Sequence, residues 1–171
     1  MGNGKLNPSV VDAGPIIHLK EIGCLFYLKL FPTLHIPHAV WYETVGYGHV
    51  SGEELTKLNN IKRHTVQKTA VDRFIKSHKF DDLDQGEREC LYLCKKINVP
   101  LILTDDLAVR DAAVRLGIVP AGSLGIVVKS YRVGEISLSE AEDKLYALYE
   151  VSSLFVTKAI VDVAIENLRQ K

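Results

Sequence analysis

The sequence is poor in cysteine, and the cysteines it has form no recognisable framework. Three cysteines occur in 171 residues, and an odd number argues against a disulfide-stabilised secreted domain. Cys90 and Cys94 lie four positions apart, but no second thiol or histidine pair stands at zinc-ligand spacing. We interpret the cysteines as buried free thiols. Neither a disulfide scaffold nor a structural zinc site is indicated.

Net charge and long apolar runs are also absent. Lys and Arg total 21, and so do Asp and Glu, so no overall positive field attracts nucleic acid or a membrane surface. No apolar run approaches the roughly 20 residues that span a bilayer, and segment 1–6 lacks the apolar core of a signal peptide. We expect a cytoplasmic protein without a membrane partner, in which any site for a polyanion is local.

What is present is an alternation of short apolar runs with amphipathic segments. At 171 residues and 47% hydrophobic, the chain can bury one full core, so we expect a single domain over 1–171 with 137–171 as a C-terminal helical extension. Strands are predicted over 9–12, 34–36, 61–66, 101–104 and 118–120, and helices over 15–22, 24–31, 37–45, 70–77, 84–96, 106–116, 122–133, 139–149 and 158–170. Ser139 and Glu142 have the spacing of a capping box. The alternation predicts an α/β protein, a three-layer α/β/α domain with a central parallel sheet.

Acidic residues stand at places where this fold would turn them inward. Asp12 follows one apolar strand and Asp105-Asp106 another, while Glu43 and Glu87 lie in predicted helices. Because ligands bind at the carboxyl ends of parallel strands, we expect the strand-end acids to face one edge of the sheet. Gathered carboxylates repel one another unless a cation or shared protons compensate. Oxygen ligands without cysteine or an obvious histidine favour Mg²⁺ or Mn²⁺ over zinc.

Each acid also has an ordinary structural interpretation. Asp12 can cap the helix that follows it, Asp84 the helix that contains Glu87, and either Asp105 or Asp106 the next one. An isolated acid favours this interpretation, whereas an acid at the end of an apolar strand twice in one small fold favours a joint site. The six histidines are expected in loop or surface positions, although His35 and His38 could reach a metal.

Several segments, in their order along the chain, resemble the PIN-domain nucleases. The resemblance is greatest to prokaryotic PIN proteins of unknown function that are similar to the VapC ribonuclease toxins. It covers roughly residues 9–136 and is carried by segments 10–19, 36–43, 83–90, 103–106 and 121–126. It implies a Mg²⁺- or Mn²⁺-dependent endoribonuclease acting on single-stranded RNA. The residues it assigns are Asp12, Glu43, Glu87 and Asp106 as catalytic metal-binding acids, Asp84 and Asp105 as adjacent metal candidates, and Thr104 as an accompanying hydroxyl at the substrate.

The chain departs from the family pattern at two positions. Many VapC toxins have Asp where this chain has Glu87, and Ser or Thr is common in place of Gly14. The longer carboxylate changes the reach to a metal, and the missing hydroxyl removes a contact to water or phosphate. A non-catalytic RNA-binding or protein-interaction module on the same scaffold is the alternative. A Mg²⁺-dependent phosphatase is less favoured, because Asp12 is followed by Ala13-Gly14 and not by an Asp-x-Asp loop.

Acids repel RNA, so cations elsewhere must hold its backbone. The candidates are Lys62, Arg63, Lys68, Arg73, Lys76 and Lys79 in segment 61–79, with Arg110 and Arg115 after the last acid. A solvated basic helix face explains segment 61–79 equally well. If the chain is a toxin, an antitoxin protein is the expected partner. The apolar surfaces near Ile16-Ile17 and Leu25-Phe26 are candidates for a homodimer face.

Overall fold

A five-stranded sheet forms the centre of the molecule. The computed structural model describes residues 6–170. Residue 171 and segment 1–5 lie outside it. The expected lack of a signal peptide rests partly on that N-terminal segment. All strands are parallel, in the order β3-β2-β1-β4-β5. They are β1 (Ser9–Val11), β2 (Leu34–Pro37), β3 (Ile61–His64), β4 (Leu101–Leu103) and β5 (Val119–Ala121). Helices flank this sheet, which confirms the predicted α/β/α fold.

Helices connect the strands, and three more follow the last strand. In the described part of the chain they are α1 (Ala13–Glu21), α2 (His38–Trp41), α3 (Gly52–Thr56), α4 (Lys68–His78), α5 (Gln85–Lys96), α6 (Leu107–Arg115), α7 (Ser123–Arg132), α8 (Leu138–Glu150) and α9 (Lys158–Arg169). A 3₁₀ helix, Leu25–Leu30, precedes β2, and a π-helical turn, Tyr42–Gly46, continues α2. None of these helices is both long and apolar enough to cross a bilayer.

The core lies around the strands because a parallel sheet is covered on both faces. Val10, Val11, Ile102 and Leu103 on the two central strands are fully buried. Helix α5 packs against β1, β2 and β4, while α7 packs against α1, the 3₁₀ helix and α8. Helix α9 packs on α7 and α8, so residues beyond 137 cover the outside of that helical layer. All three cysteines are buried and unpaired, as predicted.

Two local predictions were wrong, and one helix was missed. The capping box of α8 is formed by Ser137 and Glu140, whereas Glu142 binds Arg169 of α9 at 2.6 and 2.8 Å. The pattern Ser-x-x-Glu occurs twice, at 137–140 and at 139–142. The pattern alone therefore did not show which pair caps the helix. The predicted helix 24–31 is a six-residue 3₁₀ helix, and α3, capped by Ser51 and Glu54, was not predicted.

The predicted homodimer surface is only partly exposed. Ile16 is fully buried in the core, so it offers nothing to a partner. Phe26, in contrast, is 57% exposed. Homodimer formation therefore stays a prediction that rests on the 3₁₀ helix rather than on Ile16.

Candidate active site at the carboxyl edge of the sheet

Two adjacent central strands deliver acids to the same edge. Val11 of β1 pairs with Leu103 of β4, and the amide of Asp12 donates to the Leu103 carbonyl at 2.9 Å. The Asp12 side chain is 6% exposed. One of its oxygens accepts from the Ala13 amide at 2.8 Å and caps α1, and the other accepts from the Thr104 hydroxyl at 2.9 Å. Thr104, predicted as a substrate contact, is fully buried; its hydroxyl orients Asp12 instead.

Glu43 reaches the same edge from the π-helical turn. The turn is secured by the Thr44 hydroxyl, which donates to the Val40 carbonyl at 2.8 Å. A Cβ built on Gly86 would lie 3.3 Å from the Glu43 carboxylate, so the glycine in the first turn of α5 makes room for this acid. Single π-helical turns occur often at functional sites. The sequence placed Glu43 on a helix, but gave no signal for this turn.

Asp84 and Glu87 lie next to each other at the start of α5. The Glu87 amide donates to Asp84 Oδ1 at 3.0 Å, and the Asp84 amide donates to Glu87 Oε2 at 2.9 Å. Asp106 caps α6, because its Oδ1 accepts from the Val109 amide at 3.0 Å. The positive N-terminal ends of α1, α5 and α6 therefore all point at one edge of the sheet.

These elements enclose a small acidic cavity of about 240 Å³. We call it the acid cavity. Its lining comprises Asp12, Ala13, Gly14, His18, Glu43, Asp84, Glu87, Asp105, Asp106, Leu154 and Phe155. The structure thus brings together all six acids singled out from the sequence. Leu154 and Phe155 come from the loop between α8 and α9, which the sequence did not connect with the site.

Burial and mutual repulsion raise the pKa of several of these carboxyls. Burial raises the pKa of Asp12 to about 6, and the nearby charges of Glu43 and Asp84 add to the shift. Burial likewise raises the pKa of Glu87 to about 7, with further contributions from Asp84, Asp106 and Asp12. The pKa of Glu43 is also raised, by burial and then by Asp84. Within residues 6–170, none of these five acids forms an ion pair with Lys, Arg or His. The helix N-terminal ends are thus the only positive groups that the described residues pair directly with these five acids.

Asp105 is used differently from its neighbour. Its carboxylate accepts from the amide and the hydroxyl of Ser123, both at 2.6 Å, and lies 2.7 Å from His18 Nδ1. Because a carboxylate only accepts, Nδ1 carries the proton. A Cβ on Gly122 would lie 2.6 Å from Asp105 Oδ1, so this glycine admits the contact. Asp105 joins the loop after β4 to α1 and α7.

The sequence missed His18 and Ser123. The prediction of a loop or surface position was wrong for His18, which lies in α1 with its side chain 14% exposed. Its partner Asp105 is 87 positions away in the chain, and no local spacing connects the two. Ser123 is fully buried, and a serine that opens a helix gives no hint of a bond to a distant acid.

The predicted RNA-binding cations lie outside the acid cavity. Lys62, Arg63 and Lys68 are exposed on β3 and α4, and the Arg63 guanidinium lies 4.0 Å from the ring centre of Trp41. Arg110 donates to the Thr104 carbonyl at 3.4 Å from behind the site. None of the four lines the acid cavity. Any contact that they make with RNA therefore lies outside the acid cavity.

The donor chemistry suits a hard divalent cation. All candidate ligands are carboxylates, which are the ligands that Mg²⁺ and Mn²⁺ prefer. As the side chains stand, no three His, Cys, Asp or Glu residues in the described part of the chain are arranged to hold one ion. Glu87 and Asp106 each have one oxygen bonded to a backbone amide, which leaves the other oxygen for a metal. Asp12, Glu43, Glu87 and Asp106 are the residues that would hold it.

The comparison with known families agrees with this architecture. Residues 8–170 match a family model described as a PIN domain, so the chain belongs to the PIN-domain family. The match runs from β1 to α9 and includes the two C-terminal helices, beyond the segments in which the sequence showed a resemblance. No curated protein matches the chain. PIN domains are generally nucleases and typically use divalent metals.

Proposed function

We propose that this protein is a Mg²⁺- or Mn²⁺-dependent endoribonuclease that hydrolyses phosphodiester bonds of single-stranded RNA. The observation that carries the proposal is the acid cavity, in which carboxylates without ion-pair partners meet the N-terminal ends of three helices. Holding such acids together costs stability, as the raised pKa values of Asp12 and Glu87 indicate. A protein that keeps this arrangement gains from it when a cation binds. Membership of the PIN family supports the nuclease assignment.

Each of the four acids has its own place in the proposed metal site. Asp12 presents a carboxylate fixed by the Ala13 amide and the Thr104 hydroxyl. Glu43, Glu87 and Asp106 complete the ligand set, each from a different element. When bound, Mg²⁺ or Mn²⁺ supplies Lewis acidity that favours ionisation of the attacking water and stabilises negative charge on the phosphodiester.

No covalent nucleophile is required. The described residues that line the acid cavity include no Ser, Thr or Cys, and water is the nucleophile in the proposed reaction. Water adds across the bond between phosphorus and the 3′ oxygen, and the products are a 5′ phosphate and a 3′ hydroxyl. The N-terminal ends of α1, α5 and α6 favour the negative charge of the phosphate at this edge.

Asp106→Asn is the direct test. Asn is as good a helix cap as Asp, so α6 and the fold should survive, while loss of the charge should lower cleavage by about 100-fold or more. Cleavage of a fluorescent single-stranded RNA is measured with Mg²⁺ and with Mn²⁺, and EDTA should stop it. Asp111→Asn, an exposed aspartate of the same helix outside the acid cavity, is the matched control and should cleave normally.

A negative result has a defined meaning. Wild-type protein that is free of co-purifying protein and leaves varied RNAs intact with both metals contradicts the nuclease proposal. If that protein still binds RNA, the non-catalytic alternative replaces it. The toxin role and the antitoxin partner stay expectations, and a small antitoxin gene beside the coding sequence would support them.

A further inference from the structure

A second, larger cavity adjoins the acid cavity. Its volume is about 560 Å³, within the range of roughly 300–1,000 Å³ typical of ligand sites. The two cavities share Glu43 and Asp84. The remaining lining residues are His38, Ala39, Tyr42, Tyr47, His49, Gln85 and Gly86. We call it the aromatic cavity, and nothing in the proposed hydrolysis uses it.

Two tyrosines at this cavity are exposed to an unusual degree. Tyr42 is 57% and Tyr47 68% exposed, and their rings meet edge to face with centroids 5.4 Å apart. A Cβ on Gly46 would lie 2.9 Å from the Tyr42 ring. The glycine therefore lets the ring lie close against the π-helical turn. Because Tyr42 directly precedes Glu43, the same turn positions an aromatic ring and a candidate metal ligand.

We propose that the aromatic cavity binds an unpaired base of a single-stranded nucleic acid, namely the nucleotide next to the phosphodiester at the acid cavity. The inference rests on the proposed function, since it assigns a substrate subsite to the same active site. Stacking on exposed aromatic rings is the usual way in which proteins hold unpaired bases, and it tolerates any sequence. His38, His49 and Gln85 supply polar groups that can meet the edge of a base.

The charges around the cavity favour a base over a phosphate. Glu43 and Asp84 line it on the side of the acid cavity, and they repel a phosphate placed against the tyrosines. Lys68 and Arg63 are not among its lining residues. Lys68 borders a small cavity together with Gln85, and Arg63 rests on Trp41, the residue before Tyr42. A strand with its base stacked on the exposed face of these rings can therefore continue its backbone towards Lys68 and Arg63.

This arrangement also explains a preference for single strands. A base within a duplex is paired and stacked, and extruding it requires that pairing and stacking be broken. An unpaired base enters the aromatic cavity without that cost. The cavity thus selects the physical state of the substrate rather than its sequence.

The test compares strands with and without bases. Binding of a fluorescent single-stranded RNA and of an abasic strand of the same length is measured by anisotropy in the Asp106→Asn protein with EDTA, so that no cleavage occurs. Tyr42→Ala should weaken binding of the RNA by roughly 5- to 100-fold and leave the abasic strand within about twofold. Tyr42→Phe keeps the ring and should bind RNA nearly as well as the parent protein.

A second variant acts on the ring without removing it. Gly46→Ala should push the Tyr42 ring from its place and weaken RNA binding. Gly46 is not among the residues with positive φ, and Tyr42 is exposed, so Ala should leave the melting temperature nearly unchanged. An unchanged affinity in both Tyr42→Ala and Gly46→Ala would overturn the proposal.

Other outcomes are equally decisive. Equal losses for the RNA and the abasic strand would show that Tyr42 does not contact a base. A change of oligomeric state in Tyr42→Ala, measured by light scattering, would assign the rings to a protein contact instead. Because the assay needs no cleavage, base-dependent binding by a protein that never cleaves RNA would refute only the nuclease proposal. Cleavage without dependence on Tyr42 would refute only the base subsite.

Discussion

Replacement of Asp12 by Asn should stabilise the metal-free protein at neutral pH. The pKa of Asp12 rises from 3.8 to about 6 in the folded state. Below about pH 3 the carboxyl is protonated in both the folded and the unfolded state, and its burial then carries no charge penalty. As the pH rises through about 6, the folded state must bury the charge, and the free energy of unfolding falls by about 3 kcal/mol. Asn carries no charge and avoids this loss.

The hydrogen bonds of Asp12 are already included in this figure, because the Ala13 amide and the Thr104 hydroxyl lower the pKa that burial raises. An Asn side chain can accept from the Ala13 amide with its oxygen and donate to the Thr104 hydroxyl with its amide, because a hydroxyl can also accept. Asn therefore resembles the protonated form of Asp12. We expect Asp12→Asn to be about 3 kcal/mol more stable than the wild type near neutral pH, and about equally stable below about pH 3.

Urea unfolding in EDTA at a series of pH values measures this difference. The difference between variant and wild type should grow by about 3 kcal/mol across the window from about pH 3 to 7. Asp111→Asn, which removes an exposed acid outside the acid cavity, should show no such growth. A variant that differs from the wild type by the same amount at every pH would refute the reasoning, since folding would then not shift the pKa of Asp12.

Two further predictions concern the same edge of the sheet. Mn²⁺ should raise the melting temperature of the wild type, because it binds only the folded state, and Asp12→Asn should abolish that increase; an equal increase in both would place the metal elsewhere. Gly122→Ala should lower both the melting temperature and RNA cleavage, because its Cβ would lie 2.6 Å from Asp105 Oδ1. Gly125→Ala, where the nearest atom is 4.0 Å away, is the control and should be neutral or stabilising; equal effects of the two changes would contradict this role for Gly122.

The positions of Asp12 and Asp106 could be predicted from the sequence because their signal is local. Each follows a short apolar run, and both runs are of the type found in parallel strands. Only the order of the strands was unknown, and the structure makes β1 and β4 neighbours. The position of Glu43 at this edge of the sheet could not be predicted in the same way. It depends on a π-helical turn and on the space left by Gly86, which are properties of packing between distant segments.

The pattern of charges along the sequence predicted the positions of side chains less well than the pattern of apolar residues. Six cations in segment 61–79 form a cluster in the sequence, but the structure distributes that segment over β3 at the sheet edge and over α4. A run of cations does not predict the direction of its side chains, whereas an apolar run must face a core. The exposed tyrosines of the aromatic cavity gave no signal for a similar reason, since an aromatic residue in a helix is more often buried.

The adjacent pair Asp105 and Asp106 shows why residue type alone cannot assign a role. Asp105 accepts two hydrogen bonds from Ser123 and contacts His18, so its charge is already satisfied within the protein. Asp106 gives one oxygen to the Val109 amide and is otherwise exposed. A carboxylate that is fully bonded has little to gain from a cation, whereas one with a free oxygen in an acidic cavity gains charge compensation and a ligand bond at once. The structure thus favours Asp105 as an anchor that fixes the loop after β4, and Asp106 as the acid that this loop presents to the metal.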